Sequence, residues 1–277
     1  MLLSGGGVKF LCHLGAFKYI YKTDNIQFNL KKIGGVSSGS IIALGVVLSA
    51  DLEKVEKILL KQDFSKLIKF KLKFLKYLGV DNGKILINYI EHVLKSTTKF
   101  AFNRHTTFKE LYDMTNIQFD VYASNLNLQR LDKFNYINCP NFKVLDAIRL
   151  SMSIPFVMTF KKYRNNVYAD GAIINPFPIK EYYIDDNLPE SFLGIFLSRD
   201  ENIVINSLKN YIKAIIYSMT RIDKFDKTVC IKSLSINTLD FKISKTDKQK
   251  LIDYGYEKMK DYHEEIIVNP RLNKLVK

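Results

Sequence analysis

Gly34-Gly35-Val36-Ser37-Ser38-Gly39-Ser40 is the stretch on which the fold turns. Lys32–Val36, just before the serines, is a short apolar run of strand length, and residues 38–50 after them carry the apolar content of a buried helix. The sequence therefore predicts strand, sharp turn, helix. Inside it, Gly35-Val36-Ser37-Ser38-Gly39 is a Gly-x-Ser-x-Gly pattern. Small residues two before and two after the serine let a strained turn close, so that the serine hydroxyl projects clear of the sheet. A helix begun at Ser38 also aims the positive end of its dipole at charge forming near Ser37. Taken alone, the pentapeptide is a weak signal, because small-residue turns are common; the flanking strand and helix favour a nucleophile. Residues 33–50 carry no charge, but their Gly and Ser content makes the first half too polar and flexible for a membrane span.

Outward from this turn, Gly5-Gly6-Gly7-Val8-Lys9 also lies between a strand (residues 2–4) and a helical pattern through Leu11, Ala16 and Ile20. Three glycines let backbone N–H groups converge on one point without Cβ interference, which makes an anion nest. A dinucleotide fingerprint needs Gly at position 10, where Phe10 stands, and a Walker loop needs Ser or Thr after Lys9. An oxyanion hole needs only the converging amides; a plain tight turn is the alternative. The third candidate is Asp170 in Tyr168-Ala169-Asp170-Gly171-Ala172. Asp-Gly alone marks a turn, but a carboxylate raised in pKa by burial can act as base for a serine. A histidine base is disfavoured. His263 sits among Asp261, Glu264 and Glu265, which suggests a solvated surface helix, and His13 follows the glycine nest in a packing or capping position.

The 277 residues are 47% hydrophobic and 25% charged, the composition of one or two folded domains, not of a disordered chain, a collagen-like repeat or a coiled coil. Lys and Arg total 42 against 28 Asp and Glu, and the net +14 favours an anionic partner, phospholipid surface or nucleic acid. Cys12, Cys139 and Cys230 have neither paired nor metal-ligand spacing; they read as thiols of a reducing compartment, and no metal or cofactor is expected. No secretory or lipidation signal is visible at Met1-Leu2-Leu3-Ser4 or at Leu275-Val276-Lys277. The expectation is an intracellular protein, soluble or peripherally bound to membranes.

Strand patterns at residues 117–124, 167–169 and 192–197 continue the alternation with helices. They imply an α/β fold, three-layer α/β/α, with a mainly parallel central sheet. Residues 54–76 carry eight lysines against Glu56 and Asp63, interleaved with apolar residues. That region reads as an amphipathic helical cap on the sheet, with a membrane-touching surface as the alternative. Val204, Leu208, Tyr211, Ile215 and Met219 share a helical face, and residues 243–267 form a final helix. With no repeat, low-complexity tract or Pro/Gly linker, one domain over residues 1–277 is expected: a motif-bearing part at 2–198 and an extension at 199–277.

Four ordered blocks resemble the patatin-like phospholipases, especially their bacterial-type branch. They are Ser4–Lys9 with His13-Leu14-Gly15, Gly34–Ser40, Ala147–Pro155, and Tyr168–Ala172 with Asn175-Pro176. The resemblance implies a Ser–Asp dyad without histidine, hydrolysing lipid acyl esters without a metal. Residue by residue, Ser37 would be the nucleophile and Asp170 the general base and acid. The turn Gly5, Gly6, Gly7 would form the oxyanion hole, chiefly through amides around Gly6 and Gly7. Lys9, Gly35, Gly39 and Gly171 would complete the motifs. Phe10 departs from the family, which most often has Gly there. The substrate implied is a phospholipid or other acyl lipid at an anionic membrane surface. The rival readings are a catalytically silent lipid-binding relative and a basic nucleic-acid-binding protein. The second is supported only by charge and by Lys–Phe interleaving at residues 69–76.

Overall fold

The computed structural model describes residues 1–23, 29–183, 192–198, 204–219, 228–232 and 236–268; the terminal Leu275-Val276-Lys277 lies outside them. The chain enters through β1 (Leu2–Leu3), crosses by α1 (Phe10–Lys22) to β2 (Lys32–Val36), and turns at Ser37 into α2 (Ser38–Val47). Three further helices follow, α3 (Leu52–Lys61), α4 (Lys84–Thr97) and α5 (Phe108–Thr115), before β3 (Gln118–Asn125) and β4 (Arg130–Phe134). Next come α6 (Val144–Ser151), the hairpin β5 (Lys161–Tyr163) and β6 (Asn166–Asp170), then α7 (Ile179–Tyr182) and β7 (Gly194–Leu197). The last elements are α8 (Leu208–Met219), β8 (Thr228–Ile231) and α9 (Lys245–Val268).

Among the described residues the strands form one eight-stranded sheet, bonded along the path β5-β6-β3-β2-β1-β7-β8, with β4 paired to β3 off that path. Pairings β3–β2, β2–β1, β1–β7 and β7–β8 are parallel, while β4 and the β5–β6 hairpin run antiparallel. The α/β expectation therefore holds, with a mixed sheet that is parallel from β3 to β8. Side chains alternate between its two faces with the period of a strand. Leu3, Val121, Ala123 and Ile195 join the large core under the helices, whereas Leu2, Val36, Tyr122 and Phe196 join a smaller cluster with Phe177, Ile179 and Tyr182.

The register around β3 positions the site. On one side of β3, Val121 pairs with Gly35 of β2; on the other, with Phe134 of β4. Ala123 pairs with Asp132 of β4 and with Asp170 of β6. A strand has only two edges, so β2 and β6 share one edge of β3, end to end. Val36 stands opposite Tyr122 and Asp170 opposite Ala123, the very next residue. The carboxyl end of β2 thus meets the carboxyl end of β6.

Two expectations are corrected. The lysine-rich region is not one helix on the sheet. Asp51 caps α3 by accepting the Lys54 N–H at 3.0 Å, and α3 ends at Lys61. Two 3-10 turns follow, Phe64–Leu67 and Leu72–Tyr77, and α3 packs on α4, α9 and α1. His263 is buried, not solvated: α9 packs along α1, and the His263 Nδ1 meets the Tyr19 hydroxyl at 2.8 Å. His13 does pack as expected; fully buried, its Nε2 lies 3.0 Å from the Ser4 carbonyl oxygen, and burial lowers its pKa to about 4. The neutral ring therefore donates to that carbonyl. No helix among the described residues is long and apolar enough to cross a membrane.

Candidate active site

Ser37 occupies the turn between β2 and α2 with φ 50° and ψ −127°. A non-glycine residue at positive φ is strained and persists only where its surroundings over-determine it. Here three features do so. A Cβ at Gly35 would lie 2.5 Å from Ser40 Cα, and one at Gly39 would lie 2.4 Å from the Ser4 carbonyl oxygen, so neither position admits a side chain. The Ser37 N–H donates to Ser151 Oγ at 2.7 Å, and that hydroxyl donates to the Tyr122 carbonyl at 2.6 Å. Ser40 Oγ closes the first turn of α2 on the Ser37 carbonyl.

Ser37 Oγ donates to Asp170 Oδ2 at 2.5 Å, joining residues 133 positions apart in sequence. The other carboxylate oxygen, Oδ1, accepts the Ala172 N–H at 2.9 Å, and the Asp170 N–H donates to the Ser153 carbonyl at 2.9 Å. Ser124 Oγ, from β3, donates to the Asp170 carbonyl at 2.8 Å. Gly171 presses against β3, where a Cβ would come within 2.5 Å of the Tyr122 carbonyl oxygen. Burial disfavours the charged form of a carboxyl. It outweighs the two hydrogen bonds and lifts the Asp170 pKa from 3.8 to about 6.

The glycine nest lies beside this pair: a Cβ at Gly5 would touch Ser37 Cβ at 3.4 Å. Its three amides differ. Gly5 N–H is engaged with the Pro176 carbonyl at 3.1 Å, and Gly6 N–H donates to Ser38 Oγ at 3.2 Å. Gly7 N–H has no acceptor among the described residues. Gly7 adopts φ +53° and sits so close to Thr238 that a Cβ would lie 2.1 Å from its carbonyl oxygen. Lys9 is buried, and its N–H donates to the Gly6 carbonyl at 3.1 Å. Phe10 turns away from the nest, packing on Phe64 with ring centroids 5.8 Å apart.

Two pockets meet at Ser37. The first holds about 1060 Å³ of empty space, mouth included, and is lined by Phe10, Ile41, Gly45, Phe64, Val93 and Leu94 among others. The second, about 800 Å³, is lined by Gly5–Gly7, Lys9, Pro155 and Asp170. The structure brings together the serine, the carboxylate and the glycine turn that the sequence singles out. The sequence alone assigns no role to Ser38, Ser124 or Ser151, hydroxyls whose partners are set by tertiary contacts.

A family model described as patatin-like phospholipase matches residues 1–183. The chain belongs to that family. Among the relatives of this patatin-like chain, uncharacterized protein R571 of Acanthamoeba polyphaga mimivirus is 27% identical over 283 residues, spanning 94% of this chain and 92% of that protein. Probable lipid hydrolase 463L of Invertebrate iridescent virus 6 is 30% identical over 185 residues, covering 65% of this chain and 61% of its own length. Among solved structures, VipD from Legionella pneumophila aligns with a TM-score of 0.50 at 13% identity, over 94% of this chain and 65% of that one. ExoU from Pseudomonas aeruginosa, in complex with SpcU, aligns with a TM-score of 0.55 at 14% identity, over 95% of this chain and 52% of that one. At such identities the structures speak for a shared fold.

Proposed function

We propose that this patatin-like protein is a lipid acyl hydrolase of phospholipase A or lysophospholipase type, working through Ser37 and Asp170. The observation that carries the reading is the 2.5 Å hydrogen bond from Ser37 Oγ to a buried carboxylate of raised pKa. A carboxyl near pKa 6 is half-ionised close to neutrality, so it can take a proton and return it, as a dyad without histidine requires.

In the first step Asp170 accepts the Ser37 proton as Oγ attacks the ester carbonyl. The oxyanion meets the Gly7 N–H, and the Gly6 N–H exchanges Ser38 Oγ for the new charge. Losing one such donor typically costs ~10²–10³-fold in rate. Asp170 then protonates the departing alcohol, leaving an acyl ester on Ser37. In the second step Asp170 deprotonates a water, which attacks that ester, and Asp170 then returns the proton to Ser37 Oγ as the fatty acid departs. The apolar pocket suits the acyl chain, and the pocket lined by Lys9 suits the alcohol portion. No metal or cofactor enters. Phe10 lines the acyl pocket on this reading and leaves the amides clear, which favours an active enzyme over a silent relative. Residues 1–277 act as one domain, in keeping with β8 extending the sheet and α9 packing on α1.

The test is incubation with a labelled phospholipid panel beside Ser37→Ala. Release of fatty acid by the parent and none by the variant is expected; equal release by both would reject the assignment.

A further inference from the structure

The lysine-rich turns that follow α3 present large apolar side chains to solvent next to residues that line the apolar pocket at Ser37. Residues 64–80 contain Lys66, Lys69, Lys71, Lys73 and Lys76 and no Asp or Glu. All five lysines are exposed, as are Phe70 (68%), Leu78 (67%) and Tyr77 (46%); Phe156, on a neighbouring loop, is 59% exposed. The two loops form one surface, because the Val80 and Asp81 N–H groups both donate to the Val157 carbonyl, at 3.2 and 3.1 Å.

The backbone beneath is held firmly. Buried Asp81 accepts the Lys69 N–H at 2.5 Å, Lys71 N–H donates to the Val80 carbonyl at 2.8 Å, and Thr159 N–H to the Asp81 carbonyl at 2.8 Å. From behind, Arg149 donates to the Thr159 carbonyl at 2.8 Å. On this frame two of the exposed residues are strained, with Leu78 at φ +57° and Phe156 at φ +64°. Bulky side chains at positive φ are outliers, and such strain gathers at functional surfaces. Here it displays apolar groups that gain nothing by burial within this molecule. Ile68, Ile154 and Met158, which flank Phe70 and Phe156 in sequence, line the apolar pocket that opens at Ser37.

We propose that Phe70, Tyr77, Leu78 and Phe156, with the surrounding lysines, dock the protein on an anionic phospholipid bilayer and set the acyl pocket mouth against it. This deepens the acyl-hydrolase reading and rests on it for the orientation of the mouth. Charge and apolarity together select the partner. A nucleic acid would use the lysines and leave Leu78 and Phe156 uncovered, whereas a bilayer interface takes apolar tips below its headgroups and lysines among its phosphates. Docked this way, an acyl chain passes from bilayer to pocket without crossing water.

The test is vesicle co-sedimentation in a Ser37→Ala background, so that binding is read without hydrolysis. Vesicles are phosphatidylcholine alone or with about a third phosphatidylserine, a composition that gives the surface a negative potential. Two variants are compared: Phe70→Ser/Leu78→Asn/Phe156→Asn, in which Asn tolerates positive φ, and Lys69→Gln/Lys71→Gln/Lys73→Gln/Lys76→Gln. The parent should bind the anionic vesicles in a salt-sensitive way. The lysine variant should weaken roughly fivefold per charge removed, and the apolar variant should lose binding even at low salt. With Ser37 restored, both variants should hydrolyse a soluble short-chain ester like the parent and vesicle lipid poorly. Variants with unchanged melting temperature that bind vesicles like the parent would overturn the proposal. So would a parent that ignores vesicles but binds duplex DNA or RNA through the lysines. If the parent hydrolyses no ester at all, the catalytic reading fails while the binding comparison still decides the docking surface.

Discussion

Asp170→Asn is expected to abolish hydrolysis and to make the protein more stable, by an amount the structure sets. Burial lifts the Asp170 carboxyl from 3.8 to about 6, against the opposing pull of the Ser37 hydroxyl and the Ala172 N–H. A carboxyl whose folded pKa exceeds its unfolded one contributes stability that is complete below about 3.8 and is lost as pH rises through about 6. At ~1.4 kcal/mol per pKa unit, the gap of roughly two units amounts to about 3 kcal/mol. Asparagine keeps the shape and both contacts, its carbonyl accepting the Ala172 N–H and its amide donating to Ser37 Oγ, without the buried charge. Urea unfolding of parent and variant from pH 4 to 8 should give curves that nearly meet at the acid end. They should separate by about 3 kcal/mol through pH 6 and run parallel above it. Hydrolysis by the parent should climb across the same interval, because the base must be ionised. A constant stability offset at every pH, or parental activity that stays flat down to pH 4, would refute the argument.

Gly45 lines the apolar pocket with open space beside it, a Cβ there meeting nothing nearer than 4.0 Å. Gly45→Leu should therefore cut kcat/KM for long-chain esters at least tenfold while sparing short ones, read across a series of acyl lengths. Ser151→Ala leaves the buried Ser37 N–H without its acceptor; chemical denaturation should show a loss of about 1–3 kcal/mol, with a matching fall in kcat. Ser38→Ala frees the Gly6 N–H and should leave ester hydrolysis within a few-fold of the parent. Gly35→Ala drives a Cβ against Ser40 and should lower stability by about 1–3 kcal/mol, visible as a depressed melting temperature.

The elbow could be read from residues alone because its signal is local: a strand, small residues flanking Ser37, and a helix. Asp170 carries a weaker signal, since Asp-Gly closes many turns, and it stands out only in company with the other ordered blocks; what places it is the register that sets it opposite Ala123 while Val36 faces Tyr122, and register across distant strands leaves no mark in either segment. His263 was misread because its neighbours are acidic, yet Ile252, Met259, His263 and Ile266 are all buried, a spacing that marks the inner face of α9. The lysine-rich stretch misled for the opposite reason. Its apolar residues are dense but lose helical spacing after Lys61, so the chain breaks into short turns and leaves Phe70, Tyr77 and Leu78 outside.

Because β2 and β6 abut along one edge of β3, the Ser37–Asp170 pair is aligned on one eight-residue strand that serves as a common ruler. The same geometry makes the protein a candidate for reassembly from two pieces. If a cut in the β3–β4 turn at Leu126–Gln129 still lets the second piece pair with β3, Ser37 and Asp170 would regain each other from separate chains.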